Sequence, residues 1–129
     1  MPFYHAIVKP ELLSEPERQA FANDVVRVHC GATGAPPSFV HVLVTDDQHG
    51  RLGGDLAAQI NGTIRAGRTE DQKAEIIDGL CQAMAERAGV AADSVAARTR
   101  DIEASFTMEG GQLLPEPGSA EEEAWKAAG

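Results

Sequence analysis

The sequence predicts an α+β (α/β) fold in which two fused β-α-β units make one four-stranded sheet with two helices on one face. Three observations carry the prediction. A strand-like run leads into a capped helix near the start of the chain and again past its middle. A second strand-like run follows each helix, and matching landmarks in the two halves lie 55 positions apart.

The first run, PFYHAIVK, alternates around β-branched and aromatic residues. It opens on a proline, which a sheet tolerates at the first position of a strand because the missing N–H is not needed there. Ser14 with Glu17 three residues on spells a capping box with Pro16 in the first turn, so a helix begins at that point. Phe21, Val25 and Val28 recur at helical spacing beside Ala22, Val26 and His29, until GATGAPP stops the pattern. SFVHVLVT reads as the second strand. After the loop DDQHGRLGGD the order returns, with LAAQINGTIR as a weaker strand and Thr69 with Gln72 as a second capping box. Ile76, Ile77, Leu80 and Met84 follow, then Gly89 as the stop and SVAART as the fourth strand.

Ser14 and Thr69, Glu15 and Glu70, Arg18 and Lys73, Gly34 and Gly89, and Val40 and Val95 all share the gapless offset of 55. A helix joining two parallel strands crosses over right-handed, so the units pair into a single sheet. The whole chain, residues 1–129, reads as a single domain, with units at 2–44 and 57–99 and a C-terminal tail at 110–129. No further long helix remains for the second sheet face. That predicts an oligomer in which other subunits cover it.

Composition narrows the function classes. A chain of 129 residues with 43% hydrophobic residues supports one core. The net charge of -9 argues against nucleic acid or an anionic membrane as partner, so any bound anion must meet local positive charge. The expected location is cytoplasmic, because no charged segment precedes an apolar stretch of signal or membrane-spanning length. Cys30 and Cys81 fall in helical patterns without metal or redox spacing and are expected as reduced thiols. His5, His41 and His49 show no ligand spacing, so neither metal nor cofactor is expected.

Four places carry candidate chemistry. Removal of Met1 would turn Pro2 into a free secondary amine on a rigid ring, with burial and nearby positive charge disfavouring its protonated form; the plainer reading is a strand start. In the second half the 55-residue offset places Ala57 opposite Pro2, without a free amine. Arg65 and Arg68, at the junction of a strand and a capped helix, suit a small carboxylate through forked donors and the helix amino terminus; the plainer reading is a solvated pair. Glu109 in FTMEGG is either a loop carboxylate or the partner of Pro2 in opposite protonation states. His29 is either a favourable charge near a helix carboxyl end or a site residue.

The segments VHCGATGAPPSFVHV, IRAGRTEDQK and MEGGQLLPEPG, with the acidic stretch and Trp125 that follow, resemble the cis-3-chloroacrylic acid dehalogenase group of the tautomerase superfamily. The resemblance spans nearly the whole chain and is weakest from Asp46 to Leu56. It implies a homotrimer without cofactor, acting on a small α,β-unsaturated or 2-oxo carboxylate by hydration, hydrolytic dehalogenation or keto-enol tautomerisation. It implies Pro2 and Glu109 as catalytic residues, with His29, Arg65 and Arg68 holding the substrate carboxylate. Arg98 stands where that group carries a water-orienting tyrosine. It is expected either as a third substrate-binding cation or as an ion-pair partner of Glu109, and it shifts the expectation from dehalogenation toward hydratase or tautomerase chemistry. The other class of function is a non-catalytic oligomeric carboxylate-binding protein, which a retained Met1 would favour.

The tail GSAEEEAWKAAG has Ser119 and Glu122 at capping-box spacing and is expected as a short helix. Trp125 is expected against a neighbouring subunit, in preference to closing over the pocket.

Overall fold

The computed structural model describes residues 2–128. The elements are β1 (Phe3–Val8), α1 (Glu15–Thr33), β2 (His41–Asp46), β3 (Ala58–Arg65), α2 (Glu70–Ala88), β4 (Val95–Ile102), a two-strand hairpin of β5 (Met108–Glu109) and β6 (Gln112–Leu113), and α3 (Ala120–Ala128). Among the described residues no helix is long and apolar enough to cross a membrane.

Local chemistry places the two long helices. Ser14 and Thr69 are N-caps in extended conformation, and both expected boxes form: each cap side chain accepts from the N3 backbone while the Glu17 or Gln72 side chain reaches back to the cap N–H. Gly34 and Gly89 end the helices in left-handed conformation. The strand starts are where local reading misses. Pro37–Phe39 and Ala92–Ser94 are short 3-10 turns, so β2 and β4 begin only at His41 and Val95, and they continue to Asp46 and Ile102, past the limits expected at residues 44 and 99. Within the segment expected as the tail, residues 112 and 113 form the second strand of the hairpin and residues 120–128 form α3.

The sheet order is β2-β1-β3-β4, with β1 and β2 parallel, β3 and β4 parallel, and β1 antiparallel to β3 at the centre. Tyr4, Ala6, Val8, Ile60 and Ile64 point to one face and are fully buried beneath Phe21 and Val25 of α1 and Ile76, Leu80 and Met84 of α2. Each large apolar side chain removed from water here contributes roughly 1.5–3 kcal/mol. Asp24 of α1 accepts from Arg87 Nε at 2.8 Å and Nη2 at 3.1 Å on α2, tying the helix pair together. On the opposite sheet face Phe3 and Leu43 remain 42% and 44% exposed, so this chain alone leaves apolar surface on that side uncovered.

The internal repeat is real in three dimensions but is not gapless. Phe3 pairs with His41, 38 positions on, whereas Ala58 pairs with Val95, 37 positions on. The offset of 55 therefore relates the helices and outer strands, and one of 56 relates β1 to β3. A side chain changes face with every residue of a strand, and only the even offset puts Tyr4 and Ile60 on the same buried face. The counterpart of Pro2 is thus Ala58, not Ala57.

Candidate active site

The antiparallel centre of the sheet brings the head of β1 to the tail of β3, with Phe3 opposite Thr63. Pro2 is buried at that junction, and its carbonyl accepts from the His41 N–H at 3.0 Å, which fixes the residue between β2 and β3. Pro2, His29, Arg65, Arg68, Trp125 and Lys126 share the walls of one small cavity. Four of the six residues expected from sequence meet there. The cavity offers about 10 Å³ to the centres of water-sized molecules, room for about one water.

His29 is 1% exposed, on the face of α1 that packs against β1. Tyr4 Oη lies 2.7 Å from its Nδ1, and the two rings meet edge to face. Tyr4 has space because β3 carries glycine opposite: a Cβ at Gly62 would stand 2.5 Å from Tyr4 Cε1. Burial, against a smaller effect of Arg68, holds the phenol pKa well above its usual value, so Tyr4 keeps its proton. Burial first and Arg68 second push the His29 pKa down to about 4, so the ring is neutral. If Tyr4 donates to Nδ1, one polar atom is left over, the Nε2–H; the other tautomer would strand both the phenol proton and the Nε2 lone pair. His29 Nε2 is buried without a hydrogen-bond partner in the structure. An unmet buried donor costs on the order of 1–3 kcal/mol, and an acceptor on a ligand would satisfy it.

Arg65 ends β3 and is buried. Its Nη1 donates to the Pro115 carbonyl at 3.0 Å, its Nη2 pairs with the Glu122 carboxylate, and its guanidinium carbon lies 5.4 Å from the Trp125 ring centre. Arg68 is half-buried in the turn that follows; burial first, and Arg65 second, lower its pKa, while a guanidinium stays charged under ordinary conditions. Between them Gly67 adopts φ +109° with Pro117 seated against it, and a Cβ there would lie 3.2 Å from Pro117 Cγ. That contact steers the chain back over the arginines into α3. Trp125 stacks on Phe39 of its own chain with ring centres 4.1 Å apart. Within its own chain Trp125 thus lies against the pocket, as the second of the two expected placements has it.

Two expected residues lie outside the cavity lining. Glu109 is half-buried on β5, opposite Gln112 across a turn whose Gly110 and Gly111 both have positive φ. Arg98 points to the uncovered sheet face, where its Nε donates to Asn61 Oδ1 at 2.8 Å. Sequence reasoning missed two residues of the site. Tyr4 was legible only as a strand residue because its partner lies 25 positions away. Glu122 was legible only as a capping residue: its N–H does bond Ser119 Oγ at 3.1 Å, but its carboxylate accepts from Gly118 N–H and pairs with Arg65 and Lys126 instead of completing the box.

No family model matches the chain, and no curated protein matches it significantly. Solved structures do. The crystal structure of N1, a member of the cis-3-chloroacrylic acid dehalogenase (cis-CaaD) family, aligns with a TM-score of 0.82 at 27% identity, covering 95% of this chain and 89% of that one. Native Ps01740 aligns with a TM-score of 0.76 at 32% identity over 83% of this chain and 99% of its own. The R7 fused 4-OT, an asymmetric trimer, shares the fold with a TM-score of 0.75 at 23% identity, over 86% of this chain and 94% of that one. With the two capped β-α-β units and the IRAGRT junction already in place, these likenesses show that the chain belongs to the tautomerase superfamily, in its cis-3-chloroacrylic acid dehalogenase-like group.

Proposed function

We propose that this chain is a cofactor-free enzyme whose amino-terminal proline, freed by removal of Met1, acts as acid or base on a small α,β-unsaturated or 2-oxo carboxylate. The observation that carries the reading is the convergence of Pro2, the unmet His29 Nε2–H and the guanidinium groups of Arg65 and Arg68 in one cavity. Two cations and a neutral donor suit a carboxylate, and the same cations disfavour protonation of the neighbouring amine. Met1 lies outside the described residues.

Hydration would need Glu109, which lies on β5 outside the cavity lining, to be brought to the substrate, where it would take a proton from water as the water oxygen bonds to the substrate β-carbon. The alkene electron pair moves to the α-carbon and takes a proton from the Pro2 ammonium. A halogen on the β-carbon then leaves as halide while the new hydroxyl loses its proton, giving an aldehyde. Tautomerisation needs Pro2 alone, which removes the enol O–H proton and returns one to carbon. Arg98 in place of a tyrosine weights the reading toward hydration without halide loss or toward tautomerisation. Lying on the uncovered sheet face, it would reach a pocket only across a subunit boundary. The exposed Phe3 and Leu43 on that face support an oligomer, and the trimer formed by R7 fused 4-OT suggests a homotrimer.

The test is a proton NMR time course with cis-3-chloroacrylate and phenylenolpyruvate, using protein shown by intact mass to lack Met1, with Pro2→Ala alongside. Loss of either substrate that disappears in Pro2→Ala supports the enzyme. No Pro2-dependent change with either, despite carboxylate binding, would replace it with a binding protein.

A further inference from the structure

Among the described residues two carboxylates are buried, Asp24 and Glu122. Asp24 joins the two long helices, as a structural ion pair would. Glu122 instead sits on Arg65, the cation that the proposed reaction assigns to substrate, with both side chains at most 6% exposed. The helix that delivers it, α3, has nine residues, and the neighbours Glu121, Glu123 and Ala124 are exposed. Its hold on the pocket comes from Glu122, from Trp125 on Phe39 and from Lys126, which lies 3.4 Å from Glu122 Oε1. With space for about one water, the closed cavity does not admit even a three-carbon acid, so a wall must move before substrate enters. Trp125 and Lys126 of α3, at the end of the described chain, are the part of that wall held by side chains, and the rest comes from β3, α1, Pro2 ahead of β1 and the turns that follow α1 and β3.

We infer that Glu122 is a specificity-determining residue, an internal carboxylate that occupies the substrate's place on Arg65 and yields it only to another carboxylate as α3 lifts. The inference rests on the reading of Arg65 as a substrate ligand. An acid offers Arg65 the same paired acceptors and displaces Glu122, whereas an amide or ester of the same size leaves the buried guanidinium unpaired and does not enter.

Trp125 is the only tryptophan in the chain, so its emission reports the position of α3. Wild-type protein titrated with propionate should show a saturable red shift, and propionamide should give none. Glu122→Gln should start red-shifted and bind propionate about tenfold more tightly, because the competing closed state no longer removes most of the binding-competent population. A chain ending at Gly118, followed by calorimetry, should bind propionate with the same gain. Arg65→Ala should lose propionate binding. The inference is overturned if Glu122→Gln and the shortened chain bind propionate no better than wild type, if Trp125 does not respond when propionate binds, or if propionate binds none of these proteins. Turnover separates the two readings. Exchange of propionate for Glu122 without Pro2-dependent chemistry would remove the enzyme and leave the gate, while Pro2-dependent chemistry with unimproved binding in Glu122→Gln would do the reverse.

Discussion

At one end of the sheet the head of β1 lies beside the tail of β3, and at the other the head of β3 lies beside the tail of β1, with Val8 opposite Ala58. The repeat maps one end onto the other. Pro2 becomes Ala58, Tyr4 becomes Ile60 and Arg65 becomes Lys9 at the offset of 56, and His29 becomes Met84 at 55. Tyr4, Ile60 and Met84 are all fully buried, and His29 nearly so. The fold therefore asks these positions only for volume. The first end fills them with a phenol and an imidazole that leaves one buried polar atom unmet, the second with two apolar side chains. Lys9 is exposed, and the second end shows a surface hollow lined by Asp55, Leu56, Asp93 and Ser94, which does not suit an anion. A polar arrangement absent from its own structural copy is one that the scaffold does not require, and function is the remaining reason for it.

The largest expected effect comes from making the first end like the second. His29→Met should keep the protein folded at undiminished urea midpoint and lower Pro2-dependent turnover by about 10- to 100-fold, the scale of losing a hydrogen bond to a charged carboxylate. Retained turnover would remove His29 from the site. The same variant tests the pH dependence of stability. Folded His29 titrates near 4, against an ordinary value of 6.5. Between those values the unfolded chain binds a proton that the folded chain does not. Stability should be full above pH 6.5 and fall as pH drops toward 4, by up to about 3 kcal/mol for a shift of this size. Glu122 is held below its ordinary 4.5, since the Gly118 N–H and Arg65 outweigh its burial, so it adds losses only at lower pH. Urea midpoints of wild type and His29→Met between pH 5 and 7 should show the slope in the first and a much smaller one in the second.

Two smaller effects sharpen the role of Tyr4. Gly62→Ala would drive a methyl into the Tyr4 ring, and chemical denaturation should show a loss of about 1–3 kcal/mol with weakened turnover. Tyr4→Phe keeps the ring but frees the imidazole to take either tautomer. Turnover should fall by about tenfold, on the scale of one hydrogen bond, with the substrate carboxylate bound less tightly. Unchanged kinetics in Tyr4→Phe would mean that the tautomer is set by something else.

What was legible in the sequence was local. Two capping boxes, two glycine stops and one strand-opening proline need only a few neighbouring residues, and they located both helices and the repeat. The shift from 55 to 56 was not legible, because a one-residue change in a loop leaves the helical landmarks aligned while reversing the faces of a strand. The Gly110–Gly111 hairpin carried a readable signal, paired glycines between short extended runs, that the reading of Glu109 as a loop residue passed over. Arg65 and Arg68 were legible together because the junction of a strand and a capped helix is a local pattern that places both near one helix amino terminus. Tyr4 and Glu122 were not, since each meets a partner far along the chain, and for Arg98 the resemblance carried no sign that its strand register turns it to the uncovered sheet face.

The most direct test of the account is the titration of the Pro2 nitrogen, followed by nitrogen-15 NMR in Met1-processed protein labelled at proline. The account predicts an amine pKa below the range of about 7.7–8.0 usual for a chain terminus, because burial and Arg68 oppose its charge, and a further change in Arg68→Ala toward the usual range. A pKa at or above that range, unmoved in Arg68→Ala, would contradict the claim that this end of the sheet is built to hold a proline base.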